Sequence, residues 1–285
     1  MEGLSEKTRA IYSKAIADIC RAFNSESLEI LKDHARIVTW IESLDKSINT
    51  KKIYYISLVS TIQRMNDPSF ATALKEYKAK QNSYNNFVSA RYEQQEKSQR
   101  EEENWLEWPD ILKAREAARL SACDFLTQQD YVILCLYTHH VPVRLDYSPM
   151  AVVYEETPDQ RGNRLLVLPT GLTFIIEDYK TSRKYGVQRI PVSKELALIL
   201  LDWLEVNQSG WLLIDSKGGP MTETNLGIRI SAILKRHTGK AASLNIIRHS
   251  CVSWVRRKEK PVKETAAVAK GMLHSIGMNT MYRKL

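Results

Sequence analysis

Three side chains that could hold a phosphate lie close together in the segment LNIIRHSCVSW, residues 244–254. On a helix, Asn245, Arg248 and His249 would share one face, because they lie three or four positions apart. The planar guanidinium of Arg248 can grip an anion by two parallel hydrogen bonds and keeps its charge at any physiological pH. The apolar side chains fall on another, buried face: Leu244, Ile247, Cys251, Trp254 and Val255.

The final segment, GMLHSIGMNTMYRKL at residues 271–285, adds an imidazole and a phenol. Two earlier segments carry further cations, Arg144 in VPVRLDY and Lys180 in DYKTSRKYGVQRIPV. In chain order, these segments resemble the tyrosine recombinases, the phage-integrase family of enzymes that break and rejoin DNA. That family has an arginine early in its catalytic domain, a lysine in a β-hairpin, a His-x-x-Arg-His cluster, a histidine or tryptophan in a turn, and then a tyrosine.

The resemblance carries over position by position and spans nearly the whole chain, since the N-terminal helices also resemble the family's core-binding domain. It implies that Tyr282 attacks a DNA phosphate and becomes joined to it through a 3′-phosphotyrosyl link. Pro191 closes the second strand of the lysine hairpin, as the family pattern requires. The matching positions, in the family's order, are Arg144, Lys180, Arg248, His249, His274 and Tyr282.

The resemblance also implies a division of chemical roles. Arg144 and Arg248 would clamp the non-bridging oxygens of the phosphate with His274 as a third donor, because attack on a phosphodiester requires its charge to be neutralised. Lys180 would protonate the leaving 5′ oxygen, and the side chains of Asn245 and His249 would orient the phosphate or the arginines. The ester stores the bond energy, so no ATP, metal or other cofactor is expected.

The sequence departs from the family pattern at four points, one of which is the spacing of His274 and Tyr282, eight positions apart where the family has about nine. Asn245 replaces the first histidine of the cluster, and an amide cannot take up a proton near neutral pH. His249, His274, solvent or the phosphate itself are then the alternatives for accepting the proton of the tyrosine. Asp146 stands two residues after Arg144, where the family often has an acid three residues after. Only three residues follow Tyr282, whereas recombinases commonly have a further helix there that docks on a neighbouring subunit.

The positive charge of the chain is concentrated at its C-terminal end. The chain has a net charge of +8. Residues 235–285 contain twelve Lys and Arg against two acids, whereas the remaining chain has 29 basic and 31 acidic residues. A local positive field of this kind favours binding to nucleic acid.

Apolar residues at helical spacing predict a bundle of four helices in residues 5–88. The segment RYEQQEKSQREEE that follows is too polar to form a core of its own, which indicates a linker or a solvated helix. We therefore predict a DNA-binding helical domain over residues 1–90, a charged linker over 91–104 and a catalytic domain over 105–285.

Short apolar runs with turn residues between them predict three strands near residues 165–168, 172–178 and 187–192, in a small antiparallel sheet. Helices are predicted on both sides of this sheet in the chain. The expected fold class is mainly α with a small sheet, an α+β catalytic domain behind an N-terminal helical bundle.

The expected partner is double-stranded DNA at a specific site, with self-association on DNA from dimer to tetramer. Basic side chains would hold the DNA backbone, and the helix near residues 50–64 could enter a major groove. The candidates for DNA contact are Lys51, Lys52, Arg64, Arg183 and Lys184.

The sequence contains no apolar run of the roughly 20 residues that a membrane-spanning helix needs, and its N-terminus lacks the layout of a secretory signal. We therefore expect no membrane partner and a location inside the cell, wherever DNA is. The four cysteines are far apart and form no CxxC pair, so neither a disulfide framework nor a metal site is expected.

Three alternatives to site-specific recombination stay open at this point. A type IB topoisomerase shares the chemistry, and the short segment after Tyr282 favours it, whereas the separate helical bundle favours recombination. A DNA-binding relative with impaired catalysis is suggested by Asn245. An unrelated basic RNA-binding protein is the third, although the sequence has no aromatic-rich RNA-binding strand.

Overall fold

The computed structural model describes residues 4–257 and 268–273. The chain divides into two compact units, residues 1–94 and 95–285. Among the described residues, no helix combines the length and the apolar character needed to cross a membrane.

The first unit is built from four α-helices with two 3-10 turns at residues 28–32 and 68–70. The first three helices begin at side-chain caps, in which a serine or aspartate oxygen accepts a backbone N–H of the first turn. The helices are α1 (Glu6–Ala22), α2 (His34–Ser43), α3 (Ile48–Met65) and α4 (Ala71–Glu93).

One half-buried carboxylate joins three helices of this unit. Glu42 in α2 accepts hydrogen bonds from the hydroxyls of Tyr55 in α3 (2.8 Å) and Tyr84 in α4 (2.7 Å). Around these bonds, fully buried apolar side chains form a separate core that includes Ile19, Leu31, Ile37, Ile41, Leu58 and Phe70. The predicted four-helix bundle is therefore present, and its last helix runs further than the apolar pattern indicated.

The second unit contains seven α-helices within residues 95–257, and residues 268–271 are also helical. Its long helices pack around one large core. The helices are α5 (Gln99–Asn104), α6 (Trp108–Leu120), α7 (Phe125–Thr138), α8 (Ser182–Tyr185), α9 (Lys194–Val206), α10 (Glu223–Thr238) and α11 (Leu244–Arg257).

A four-stranded sheet lies in the middle of this unit's chain, with its strands in sequence order. The second pair and the third pair of strands are antiparallel, and the first pair is parallel. The strands are β1 (Ala151–Val153), β2 (Arg164–Leu168), β3 (Gly171–Ile176) and β4 (Gln188–Pro191). The predicted α+β class is confirmed, with three of the strands close to their expected positions. The short β1 was not predicted, because three residues are too few to show a period.

The proposed linker, residues 91–104, contains the end of α4 and all of α5. Glu101 closes a capping box with Ser98 at the start of α5, and Asn104 accepts a hydrogen bond from the backbone N–H of Ala241 (3.0 Å). The segment from Gln95 onward is thus fastened to the second unit, while the division into functional domains stays a proposal.

A buried aspartate ties two helices of the second unit together. Asp130 in α7 is 1% exposed and pairs with Arg229 and Arg236, both in α10. Removing one partner of a buried pair leaves uncompensated charge, which destabilises the folded state by several kcal/mol.

We expect Asp130→Ala to lower the free energy of unfolding by about 3 kcal/mol, the lower end of that range, because both arginines keep some access to water. Urea unfolding followed by tryptophan fluorescence measures it, since five of the six tryptophans lie in the second unit. The control is Asp110→Ala, which removes an exposed pair with Lys113 and should cost about 0.5 kcal/mol. Equal losses in the two variants would contradict the structural role of Asp130.

Candidate active site

Arg144 lies in the loop after α7 and is fixed through its backbone. Its carbonyl accepts a hydrogen bond from the Tyr137 hydroxyl (3.0 Å), and its N–H donates to the Asp146 carboxylate (3.1 Å). Its guanidinium atom Nη1 is buried and has no hydrogen-bond partner among the described residues. Buried donors are nearly always paired in folded proteins, so this nitrogen needs an acceptor from outside the described residues.

Arg248, in α11, is 1% exposed. Its Nε donates to the carbonyl of Pro142 (3.1 Å), and its Nη2 donates to the carbonyl of Met272 (3.3 Å). The side chain therefore bridges the loop that leads into Arg144 and the turn that follows residues 268–271.

The carboxyl of Asp146 lies within the electrostatic influence of both arginines. The pKa of this carboxyl is raised above its ordinary value, because burial outweighs the N–H of Arg144 and the positive charges of Arg144 and Arg248, all of which lower it. Glu223 acts in the same direction as burial. Both guanidinium groups therefore act on one buried carboxylate, and their joint binding of a single phosphate stays a prediction.

Lys180 lies between β3 and α8, in the connection of the β3–β4 hairpin. Its side chain is exposed and makes no hydrogen bond or ion pair with the described part of the chain. The next residue fixes the position of this connection, because the Thr181 hydroxyl donates to the carbonyl of Leu273 (3.1 Å).

The turn at Met272 and Leu273 is thus held from two sides, by Arg248 and by Thr181. A close approach precedes it: a Cβ atom added to Gly271 would lie 3.1 Å from Cβ of Val141, so only glycine fits there without a shift. The next residue in the chain is His274. Both His274 and Tyr282 lie outside the described residues, and their predicted roles stay predictions.

Asn163 connects the Arg144 loop to the lysine hairpin, and sequence reasoning missed it. Its side-chain amide donates to the carbonyls of Asp146 (2.8 Å) and Asp178 (3.0 Å). Its side-chain oxygen accepts the backbone N–H groups of Glu177 (2.9 Å) and Asp178 (2.8 Å). The only signal in the sequence is a Gly-Asn pair before a strand, which by itself indicates a turn.

The remaining two members of the predicted cluster differ in their surroundings. Asn245 is exposed, and its side chain makes no hydrogen bond with the described residues. His249 is buried, with its Nε2 atom 3.6 Å from the Glu101 carboxylate of α5. Arg248 and His249, although adjacent, therefore have different neighbours.

The five candidates for DNA contact lie in both units. In the first unit, Lys51 donates to the carbonyl of Glu42 (2.7 Å), Lys52 is half-buried, and Arg64 is exposed. In the second unit, Arg183 and Lys184 are both exposed in α8, beside Lys180 in the chain.

Within residues 4–257 and 268–273, no three His, Cys, Asp or Glu side chains are grouped so that they could hold a metal ion. The cysteines of this part of the chain are free thiols, and burial raises the pKa of Cys135 to about 11 and that of Cys251 to about 12. Neither thiol is therefore ionised near neutral pH.

Among the solved structures that are similar to this chain in fold, two cover most of its length and of their own. One is a lambda integrase dimer bound to a COC′ core site, with a TM-score of 0.60 and 14% identity, covering 100% of this chain and 90% of that one. The other is the XerH site-specific recombinase bound to a palindromic difH substrate in a post-cleavage complex, with a TM-score of 0.54 and 14% identity, covering 96% and 72%.

This chain has the tyrosine recombinase fold. No protein-family model matches the sequence, and the curated proteins contain no significant match. The likeness is therefore one of three-dimensional structure.

Within the tyrosine recombinase fold, the Asp146 carboxyl gives a pH prediction. Because its pKa is raised, the folded state holds this proton more tightly than the unfolded state, and wild type loses stability as the pH rises through the folded value. Asp146→Asn cannot titrate. We expect the variant to gain stability relative to wild type between about pH 4, near the ordinary pKa of aspartate, and about pH 7.

Urea unfolding of both proteins at the two pH values measures this difference. A variant that instead loses stability relative to wild type as the pH rises would mean that the arginines outweigh burial at Asp146.

Proposed function

We propose that this protein is a site-specific DNA recombinase of the integrase type, which cleaves and rejoins DNA strands through a 3′-phosphotyrosyl intermediate. The observation that carries the proposal is that Arg248 donates to the carbonyl of Pro142, two residues before Arg144, while one guanidinium nitrogen of Arg144 is buried and unpaired among the described residues. The tyrosine recombinase fold supports it, since the two solved neighbours are recombinases bound to DNA.

Charge neutralisation is the first requirement of the reaction. The phosphodiester is an anion that repels nucleophiles, so it must be held by fixed positive groups before attack. Arg144 and Arg248 supply this charge on the non-bridging oxygens, with His274 as a third donor. The backbone of Arg144 and the side chain of Arg248 are held by protein contacts before DNA binds, which limits the reorganisation that accompanies the reaction.

Proton transfer is the second requirement. The Tyr282 oxygen attacks phosphorus, the bond from phosphorus to the 5′ oxygen breaks, and Lys180 gives its proton to that leaving oxygen. The phenolic proton passes to His249, His274, solvent or the phosphate. Reversal of these steps on the 5′ hydroxyl of another strand gives recombination, and the ester conserves the bond energy without ATP or a metal.

His249 and Asn245 have the supporting part in this mechanism. The Glu101 carboxylate of α5 lies beside the imidazole of His249, 3.6 Å from its Nε2 atom. In this position His249 orients the phosphate or the neighbouring arginine, and Asn245 does the same from the exposed side of α11.

Double-stranded DNA at a specific sequence is the proposed partner, and the protein would act inside the cell, wherever that DNA is. Exposed cations of the hairpin, Arg183 and Lys184, would hold the backbone beside Lys180, and α3 with Lys51, Lys52 and Arg64 would contribute from the first unit. Self-association on DNA, from dimer to tetramer, belongs to the same proposal.

Selection of bound duplexes from a random DNA pool, followed by covalent trapping on a nicked form of the winning sequence, tests this function. Wild type is expected to form a covalent adduct and Tyr282→Phe to bind without forming one. Binding without any wild-type adduct would identify a catalytically impaired relative instead. Relaxation of a plasmid that lacks the selected sequence would indicate a topoisomerase.

Arg144→Ala should lower the rate of adduct formation by about 10² to 10³-fold, since it removes a fixed positive donor from the developing charge. Its affinity for the selected duplex should fall much less, because many other cations hold the DNA backbone. Single-turnover cleavage and a binding titration at one salt concentration separate the two effects. A variant that cleaves at the wild-type rate would remove Arg144 from the site.

A further inference from the structure

We infer that Asn163 is a positioning residue that sets the distance between Arg144 and Lys180, the phosphate clamp and the proton donor. The inference rests on the proposed function, which gives these two cations their roles. The structural basis is that one side chain binds the segment after Arg144 and the segment before Lys180 at the same time.

The amide of Asn163 uses its full hydrogen-bonding capacity in this bridge. A primary amide has two N–H donors and an oxygen with two lone pairs. Here both donors reach backbone carbonyls, of Asp146 and Asp178, and the oxygen accepts the N–H groups of Glu177 and Asp178, all within 3.0 Å. Such a side chain has one rotamer that satisfies all its partners, so it fixes both segments in one arrangement.

The bridge begins where the sheet ends. Strand β3 pairs with β2 as far as Ile175 opposite Arg164, and Glu177 and Asp178 lie beyond this register. Asn163 therefore continues the attachment of the hairpin past the last backbone pair on that side. Without it, the chain from Asp178 to Lys180 would be held to β2 by fewer bonds.

The backbone of Asn163 is itself anchored. Its carbonyl accepts the N–H of Ala151 (3.0 Å), at the start of β1. The preceding Gly162 has a φ of 80° and donates its N–H to the Glu177 carboxylate (3.2 Å). Arg164, which follows, also pairs with Glu177 (3.1 Å). The bridge thus stands next to the start of β2, on a segment that is itself bonded to β1 and to Glu177.

Geometry decides the size of the effect. Misplacement of a catalytic group by about 1 Å can cost about a hundredfold in rate. Releasing the bridge lets the Arg144 loop and the lysine hairpin shift independently. The rate of the chemical step then falls, while the contacts to the DNA backbone persist.

Four variants separate this role from general damage. Asn163→Ala removes the whole bridge, and Asn163→Asp keeps the acceptor for Glu177 and Asp178 but loses both donors. Lys180→Ala removes the proton donor itself. Asn225→Ala is the matched control, because Asn225 is an exposed asparagine whose side chain bonds to no described residue.

Cleavage is measured in single turnover on the duplex obtained by selection, made in two forms. One has the normal 5′ oxygen at the scissile bond, and the other has sulfur there. A thiol ionises far more readily than an alcohol, so the sulfur departs without a general acid. Hydrogen exchange at the amides of Glu177 and Asp178 reports on the bridge independently of any reaction.

For Asn163→Ala we expect cleavage of the oxygen substrate to fall about a hundredfold, with duplex affinity changed less than about threefold. The sulfur substrate should recover about tenfold of this loss, because a sulfur leaving group does not need the proton of Lys180. The same recovery is expected for Lys180→Ala. Both amides should exchange faster in Asn163→Ala and stay protected in Asn163→Asp, and Asn225→Ala should match wild type throughout.

Two results would overturn the inference. One is wild-type cleavage by Asn163→Ala, and the other is a loss that sulfur does not relieve, which would mean a general structural defect. If wild type leaves every selected duplex uncut, the proposed function fails, and the role of Asn163 in the reaction fails with it. The exchange data would still show in that case whether Asn163 holds the two segments together.

Discussion

The structure depends on keeping two positively charged guanidinium groups within electrostatic range of one buried carboxylate. Arg248 is almost fully buried, Arg144 has a buried nitrogen that no described residue satisfies, and Asp146 lies within the field of both. Burying positive charge is costly unless it is compensated. In the proposed function, a phosphate oxygen would supply an acceptor for this nitrogen of Arg144.

The surrounding fold places these charges through backbone groups. The carbonyls of Pro142 and Met272 hold the Arg248 side chain, and the carbonyl of Leu273 holds the lysine hairpin through Thr181. Segments far apart in the chain therefore meet at a few polar contacts. Asn163 makes the largest number of these contacts, because its amide bonds both to the loop of Arg144 and to the hairpin of Lys180.

The sequence predicted the helices, whose apolar residues recur at a regular spacing, and it singled out charged residues that could bind a phosphate. Apolar stripes at helical spacing located the long helices, and the resemblance to a family pattern singled out Arg144, Lys180 and Arg248 as candidates. Asn163 and Thr181 escaped, since their function lies in bonds to backbone groups of distant segments, which leave no pattern in the sequence. The separate surroundings of Arg248 and His249 were also unpredictable, because helical periodicity gives a shared face but not the neighbours of each side chain.

The most direct measurement is a crystal structure of the Tyr282→Phe protein bound to its selected duplex. The account predicts a non-bridging oxygen of one phosphate at about 3 Å from Nη1 of Arg144, with the guanidinium of Arg248 facing the same phosphate. A duplex whose phosphates all lie away from both arginines, with Nη1 of Arg144 bonded to a group of the protein, would contradict it.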